Sequence, residues 1–138
     1  MHDSMAKKDK GKDKIKVLLI DDEADFTQPM AFWLNSKGYA VREAHSGQEG
    51  IAAVKDSQPD IIFLDLNMPG LDGIQTLKRI REFNDSVPVI IISAYVEKAN
   101  TKDVADYKIS GVFYKGEDFQ KGLSLLEAAL RTHRKLKK

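Results

Sequence analysis

Apolar residues along this chain follow two alternating rhythms. Short β-rich runs occur at Ile15 to Ile20 (IKVLLI), Ile61 to Asp65 (IIFLD), Val87 to Ser93 (VPVIIIS) and Gly111 to Lys115 (GVFYK), with a weaker one over Tyr39 to Ala44. Between them apolar residues recur at helical spacing: Phe26, Met30, Trp33 and Leu34, then Ile51 and Val54, then Ile74, Leu77 and Ile80. Val104 and Tyr107 mark a weaker fourth helix, and Phe119, Leu123, Leu126 and Leu130 a strongly amphipathic last one. Five strands alternating with five helices predict βαβ units around a parallel sheet. The runs at Ile15, Ile61 and Val87 are apolar on both faces, as a sheet covered on both sides requires. Ser46–Gly47 opens the second helix, and Asp72 reads as the N-cap of the third. Pro29 leaves two readings for the first helix: a kink in its interior, or a start at Thr27 or Gln28 that puts the proline in the tolerated first turn.

Residues 1–14 (MHDSMAKKDKGKDK) are polar and lysine-rich and have too little apolar surface to offset ordering, so a disordered tail is expected there. The expected domain then spans 15–134, with a basic end at 135–138. A length of 138 residues suits one domain. The net charge of +1 hides an acidic body between basic ends. Residues 1–16 hold six Lys against three Asp, and residues 115–138 hold seven basic residues against three acidic ones. No helix-turn-helix or other reader motif accompanies the basic ends, so nucleic-acid binding by this chain is not expected. No apolar run approaches the roughly 20 residues of a membrane span. No apolar stretch follows the N-terminal lysines, so no signal peptide is expected either and a cytoplasmic protein is. There are no cysteines, which excludes disulfides and thiolate chemistry, and the three histidines (His2, His45, His133) lack metal-ligand spacing.

In an open parallel sheet, functional groups collect at the carboxyl ends of the strands. Here those ends read Asp21-Asp22-Glu23, Asp65, Ser93-Ala94 and Lys115. Unpartnered carboxylates brought together repel one another, and a cation relieves them. All-oxygen donors suit Mg²⁺ or Mn²⁺, with Asp22 and Asp65 as direct ligands and Asp21 acting through water. A hydroxyl and an ammonium on the same rim suit phosphoryl oxygens, and an aspartate can itself be the nucleophile.

The order Asp21-Asp22, then Asp65-x-Asn-Met-Pro-Gly-x-Asp-Gly, then Ser93-Ala94, then Lys115 resembles the receiver domain of two-component response regulators. The resemblance covers about residues 15 to 134, and DLNMPGLDG is its strongest single stretch. It implies a doubly wound, flavodoxin-like (βα)₅ fold. It implies that Asp65 accepts a phosphoryl group from a phosphohistidine on a sensor histidine kinase or a histidine phosphotransfer protein, and then switches contacts with an output partner. By the same resemblance Asp22, Asp65 and the backbone carbonyl of Asn67 hold the metal with Asp21 supporting. Ser93 then hydrogen-bonds the phosphoryl group and Lys115 pairs with it. The implied chemistry is self-catalysed phosphoryl transfer and slow self-hydrolysis, tuned by Asn67 and Tyr95, without turnover of a small substrate. A homodimer through the fourth helix, fifth strand and fifth helix is a further family mode.

Two positions depart from that pattern. The lysine is usually followed by proline, often in a cis peptide, and here Gly116 follows it. Without proline a cis bond costs about 3 kcal/mol, so a trans bond and a differently shaped loop are expected. The aromatic usually found three residues before the lysine is replaced by Val112, with Phe113 and Tyr114 next to it. These departures leave a second reading, a receiver-like interaction domain that works without phosphorylation. A haloacid-dehalogenase-type phosphohydrolase fits less well, because its general acid is an Asp where Asn67 stands. A flavodoxin-like cofactor site would need a neutral phosphate loop in place of Asp21-Asp22-Glu23. Asp72, Phe26 and Trp33 have sufficient structural roles as cap and core.

Overall fold

The computed structural model of the protein describes residues 14–94 and 104–137. The expected tail lies almost wholly outside the described residues, as do residues 95–103. The elements run β1 (Lys16–Ile20), α1 (Ala24–Ser36), β2 (Ala40–Ala44), α2 (Gly47–Ser57), β3 (Ile61–Asp65), α3 (Gly73–Phe83), β4 (Val89–Ser93), a 3₁₀ turn (Ala105–Tyr107), β5 (Ile109–Tyr114) and α4 (Phe119–Lys137). All strand pairs are parallel, in the order β2-β1-β3-β4-β5. The order reverses beside β1, which makes the sheet doubly wound as expected.

Strand alternation divides the core in two. Leu18, Ile20, Ile62 and Leu64 turn toward Ala53 and Val54 of α2 and Leu77 and Ile80 of α3. Val17, Leu19, Ile61 and Phe63 turn toward Met30 and Leu34 of α1 and Leu123, Leu126 and Leu130 of α4. Each fully buried aliphatic side chain contributes about 1.5–3 kcal/mol, so these layers hold the sheet against its helices. Among the described residues no helix is long and apolar enough to cross a membrane.

The predicted helix starts at Ser46 and Asp72 are found. Ser46 Oγ accepts from Glu49 N at 3.1 Å, and Asp72 Oδ1 accepts from Gln75 N at 2.9 Å. Pro29 sits inside α1, whose N-cap is Glu23, so the helix does not wait for Thr27 or Gln28. Pro29 is exposed, and water can serve the Asp25 carbonyl that lacks its helical donor. β4 begins at Val89 and not at Val87, because Pro88 has no N–H for the ladder; its carbonyl still accepts from Ile62 N at 3.0 Å. The expected fourth helix is described only at its end, where Val104 is helical and a 3₁₀ turn follows, ended by Lys108 at φ +61°. Arg81 ties this turn down, donating from Nε to the Tyr107 carbonyl at 2.8 Å and from Nη1 to the Val87 carbonyl at 2.7 Å.

The loop from β3 to α3 is anchored by the buried side chains of Leu66 and Met68. Gly73 brings the start of α3 onto the strand end: its N–H donates to the Leu66 carbonyl at 3.1 Å, and a Cβ there would lie 2.2 Å from the Asp65 carbonyl oxygen. Helix propensity favours Gly73→Ala, yet the clash with rigid backbone outweighs it. Gly73→Ala is expected to destabilise the protein by ~1–3 kcal/mol in urea unfolding. An unchanged or raised midpoint would contradict this close approach.

Candidate functional site

The register of the sheet assembles the site. β1 and β3 pair as Ile20 with Leu64, so the next residues, Asp21 and Asp65, emerge side by side. Asp65 pairs with Ile92, Ser93 follows directly and pairs with Tyr114, and Lys115 N then donates to the Ser93 carbonyl at 2.8 Å. Asp21, Asp65 and Lys115 continue the parity of Val17, Phe63 and Phe113, the residues that face α1 and α4. The pleat therefore turns all three side chains toward the start of α1. The rim lies where the strand order reverses, the usual place for a site in such a sheet.

The Lys115 ammonium is the centre of this arrangement. It stands 2.9 Å from Asp21 Oδ2 and 3.5 Å from Asp65 Oδ2, and it pairs with Glu23 Oε1. The Phe26 ring lies beneath it, with its centroid 5.1 Å away. Asp21 is fully buried; its Oδ1 accepts from Glu23 N at 2.9 Å, while Oδ2 meets the ammonium without a well-aligned hydrogen bond. Asp65 is also buried, and its Oδ1 accepts from Asn67 N at 3.0 Å. Asp22 lies exposed on the rim.

The expected residues therefore meet, with some differences in detail. Asp21, expected to support a metal through water, is the most buried acid of the group and also one of the partners of Lys115. Asn67 is exposed, and the contact it makes with Asp65 runs through its N–H. Ser93 is buried at the end of β4. Tyr95 lies outside the described residues. Glu23 and Phe26 were not among the predicted site residues. Glu23 is legible only as the third acid of the Asp21-Asp22 run, and Phe26 has the spacing of an ordinary core residue.

The departures after β5 have a local solution. No described peptide bond is cis, and Gly116 adopts φ +96°. Glu117 N donates to the Tyr114 carbonyl at 3.0 Å, and Tyr114 N donates back to Glu117 Oε1 at 3.0 Å. Glycine at the third position of such a turn supplies the positive φ. Val112 packs half-buried on the α2–α3 side, whereas Phe113 is buried on the α1–α4 side with its ring 6.3 Å from Phe26.

Burial pushes the Asp65 carboxyl up to about 7, against the lowering effect of the Asn67 N–H; Asp21 raises it further and Lys115 lowers it. Burial also disfavours the Lys115 charge, but Glu23, Asp21 and Asp65 outweigh it and hold the ammonium above its ordinary range. Asp21, Asp22 and Asp65 each offer an oxygen, all within 4.8 Å of one another. The buried Asp21 Oδ2, which meets the ammonium without a well-aligned hydrogen bond, and the hard, all-oxygen donor set both fit a divalent cation.

The raised Asp65 value links stability to pH. The folded carboxyl binds its proton more tightly than the unfolded one, whose value is near 3.8. Stability is therefore lost as pH rises from about 4 to about 7, and the deficit stays constant above that. In the absence of divalent ions, Asp65→Asn is expected to be more stable than the parent at pH 8 by on the order of 2 kcal/mol. The advantage should shrink as pH falls toward 4. A pH-independent difference in denaturant unfolding would refute the assignment.

Known proteins resemble this chain in sequence and fold. The model for the response regulator receiver domain matches residues 17–127. The transcriptional regulatory protein ResD of Bacillus subtilis is 41% identical over 85 residues, covering 62% of this chain and 35% of that protein. Sporulation initiation phosphotransferase F of the same organism is 34% identical over 82 residues, covering 59% of this chain and 66% of that one. Among solved structures, the N-terminal domain of a response regulator/sensory box/GGDEF protein from Carboxydothermus hydrogenoformans superimposes with a TM-score of 0.82 at 27% identity. That superposition covers 89% of this chain and 99% of the other. The chain spans about a third of ResD and less than half of the mycobacterial regulators TcrX and TrcR. With a family match over most of its length and the acidic rim, buried aspartate and lysine in their expected places, this chain belongs to the receiver domains of response regulators.

Proposed function

We propose that Asp65 is the residue phosphorylated in this domain, with a phosphohistidine of a sensor histidine kinase or a histidine phosphotransfer protein as donor. The observation that carries this reading is the buried Asp65 carboxylate at a strand end, beside two further acids and within 3.5 Å of the Lys115 ammonium. An oxygen of Asp65 attacks the phosphorus, the bond from phosphorus to the imidazole nitrogen breaks, and the histidine leaves with its electron pair. Asn67 N–H orients the Asp65 carboxylate. Lys115 offsets the added negative charge, and the Ser93 hydroxyl serves as a hydrogen-bond donor to the phosphoryl group. Asp22, Asp65 and the Asn67 carbonyl would hold Mg²⁺ or Mn²⁺, with Asp21 supporting through water. When bound, such an ion would supply positive charge at the carboxylates and so ease the approach of the phosphoryl group.

The phosphorylated domain then changes its contacts with an output partner and loses the group by slow self-hydrolysis. It does not turn over a small substrate. A cytoplasmic location accompanies this reading of the phosphodonor, and a homodimer is one form the output contact can take.

Incubation with Mg²⁺ and acetyl phosphate should add one hydroxylamine-sensitive phosphoryl group by intact mass. Asp65→Asn should abolish the gain and EDTA should prevent it. A parent protein that gains nothing from any donor would favour interaction without phosphorylation. Gly116→Pro, which restores the family's usual dipeptide, should impair the site here, since proline requires φ near −65° where the structure has +96°. Phosphorylation at limiting acetyl phosphate should slow by about tenfold or more, an order of magnitude set by the loss of a positioned charge. A variant as fast as the parent would show that the turn does not position Lys115.

A further inference from the structure

Lys115 is shared among three carboxylates that differ in their freedom to move. Asp21 and Asp65 are buried, with side chains 0% and 4% exposed, whereas the Glu23 side chain is 60% exposed. Asp21 and Asp65 are also each pinned by a backbone N–H, from Glu23 and Asn67 respectively. Glu23 occupies the N-cap position of α1 but makes no side-chain cap. Its backbone carbonyl accepts from Phe26 N and Thr27 N, and its carboxylate reaches across to Lys115. The ammonium is thus drawn to Glu23 and Asp21 and stands farthest from Asp65, the carboxylate it must serve after phosphorylation.

We propose that Glu23 is a positioning residue, an exchangeable counter-ion that holds Lys115 in reserve and competes with the phosphoryl group on Asp65 for its ammonium. The proposal rests on the assignment of Asp65 as phosphoryl acceptor. An anion on Asp65 adds charge beside Lys115, and the lysine can follow it because its stem is flexible and its mobile partner can be released to water. Releasing Glu23 exposes little that was buried, whereas releasing Asp21 would leave a buried charge unpaired. The resting pair thereby lowers the affinity of the site for the phosphoryl group while leaving its other ligands in place.

The test is a double-mutant cycle on Glu23 and Lys115, with beryllofluoride in saturating Mg²⁺ as the phosphoryl mimic and calorimetry as the readout. Glu23→Gln should tighten beryllofluoride binding by about fivefold, the upper range for a partly exposed ion pair. In a Lys115→Ala background the same change should alter affinity by less than about twofold, because the competition runs through the lysine. Glu23→Asp, which keeps the charge, should remain closer to the parent than Glu23→Gln does. The initial rate of phosphorylation from acetyl phosphate, read by intact mass, gives the same cycle where Lys115→Ala binds the mimic too weakly. Equal effects in both backgrounds would mean simple charge repulsion and overturn the proposal. So would Glu23→Gln binding no tighter than the parent. A parent that takes up neither mimic nor phosphoryl group would overturn the acceptor assignment as well. A parent that takes up both while the cycle shows no coupling would remove the role of Glu23 alone.

Discussion

The ion cluster around Lys115 is the constraint on which the rest of the site depends. Two carboxylates, Asp21 and Asp65, are buried side by side at the ends of adjacent strands, where like charges repel and desolvation penalises both. The cation that offsets them comes from the end of β5, with β4 lying between that strand and β3. A lysine stem is long enough to reach over the intervening strand. Its charge arrives only if β5 ends in the correct register and turns away at the correct residue. The bond from Lys115 N to the Ser93 carbonyl sets the register, and the Phe26 ring beneath the ammonium limits where it can settle.

The turn after Lys115 solves a geometric problem with unexpected residues. A proline would restrict the backbone by its ring, whereas this chain closes the turn with a glycine at positive φ and with two reciprocal bonds between Tyr114 and Glu117. Lys115 is placed without a cis peptide. The aromatic side chains of β5 are redistributed as well. Val112 packs against the α2–α3 core, and Phe113 packs on the opposite side near Phe26. Among the described residues, the ring beneath the Lys115 ammonium is that of Phe26 on α1, where the chain also supplies Glu23.

Strand existence was legible because apolar runs without polar interruption fit only a sheet covered on both faces. Strand edges were less legible. β4 starts late because Pro88 has no donor, and β5 starts at Ile109, ahead of a register shift between its first two pairings with β4. The segment holding Val104 and Tyr107 reads as a weak helix, and its described part, helical at Val104, ends in a 3₁₀ turn held by Arg81 through backbone carbonyls. No periodicity reveals such a bond, since it joins residues 26 apart through a side chain.

The linear order of residues determined the fold class, the acidic run after β1, the aspartate that ends β3 and the lysine that ends β5. Each follows from local composition and from the rule that parallel strands end on one rim. Only the folded chain decided how charge is shared there. Asp21 and Asp65 are the buried partners of Lys115, and Glu23 is its exposed one. The reason is that pairing among charges depends on distance and solvent access, and both arise from the register of β1, β3 and β5 and the placement of α1. Neighbouring acids in the sequence, Asp21, Asp22 and Glu23, thereby take three different environments within one turn of backbone.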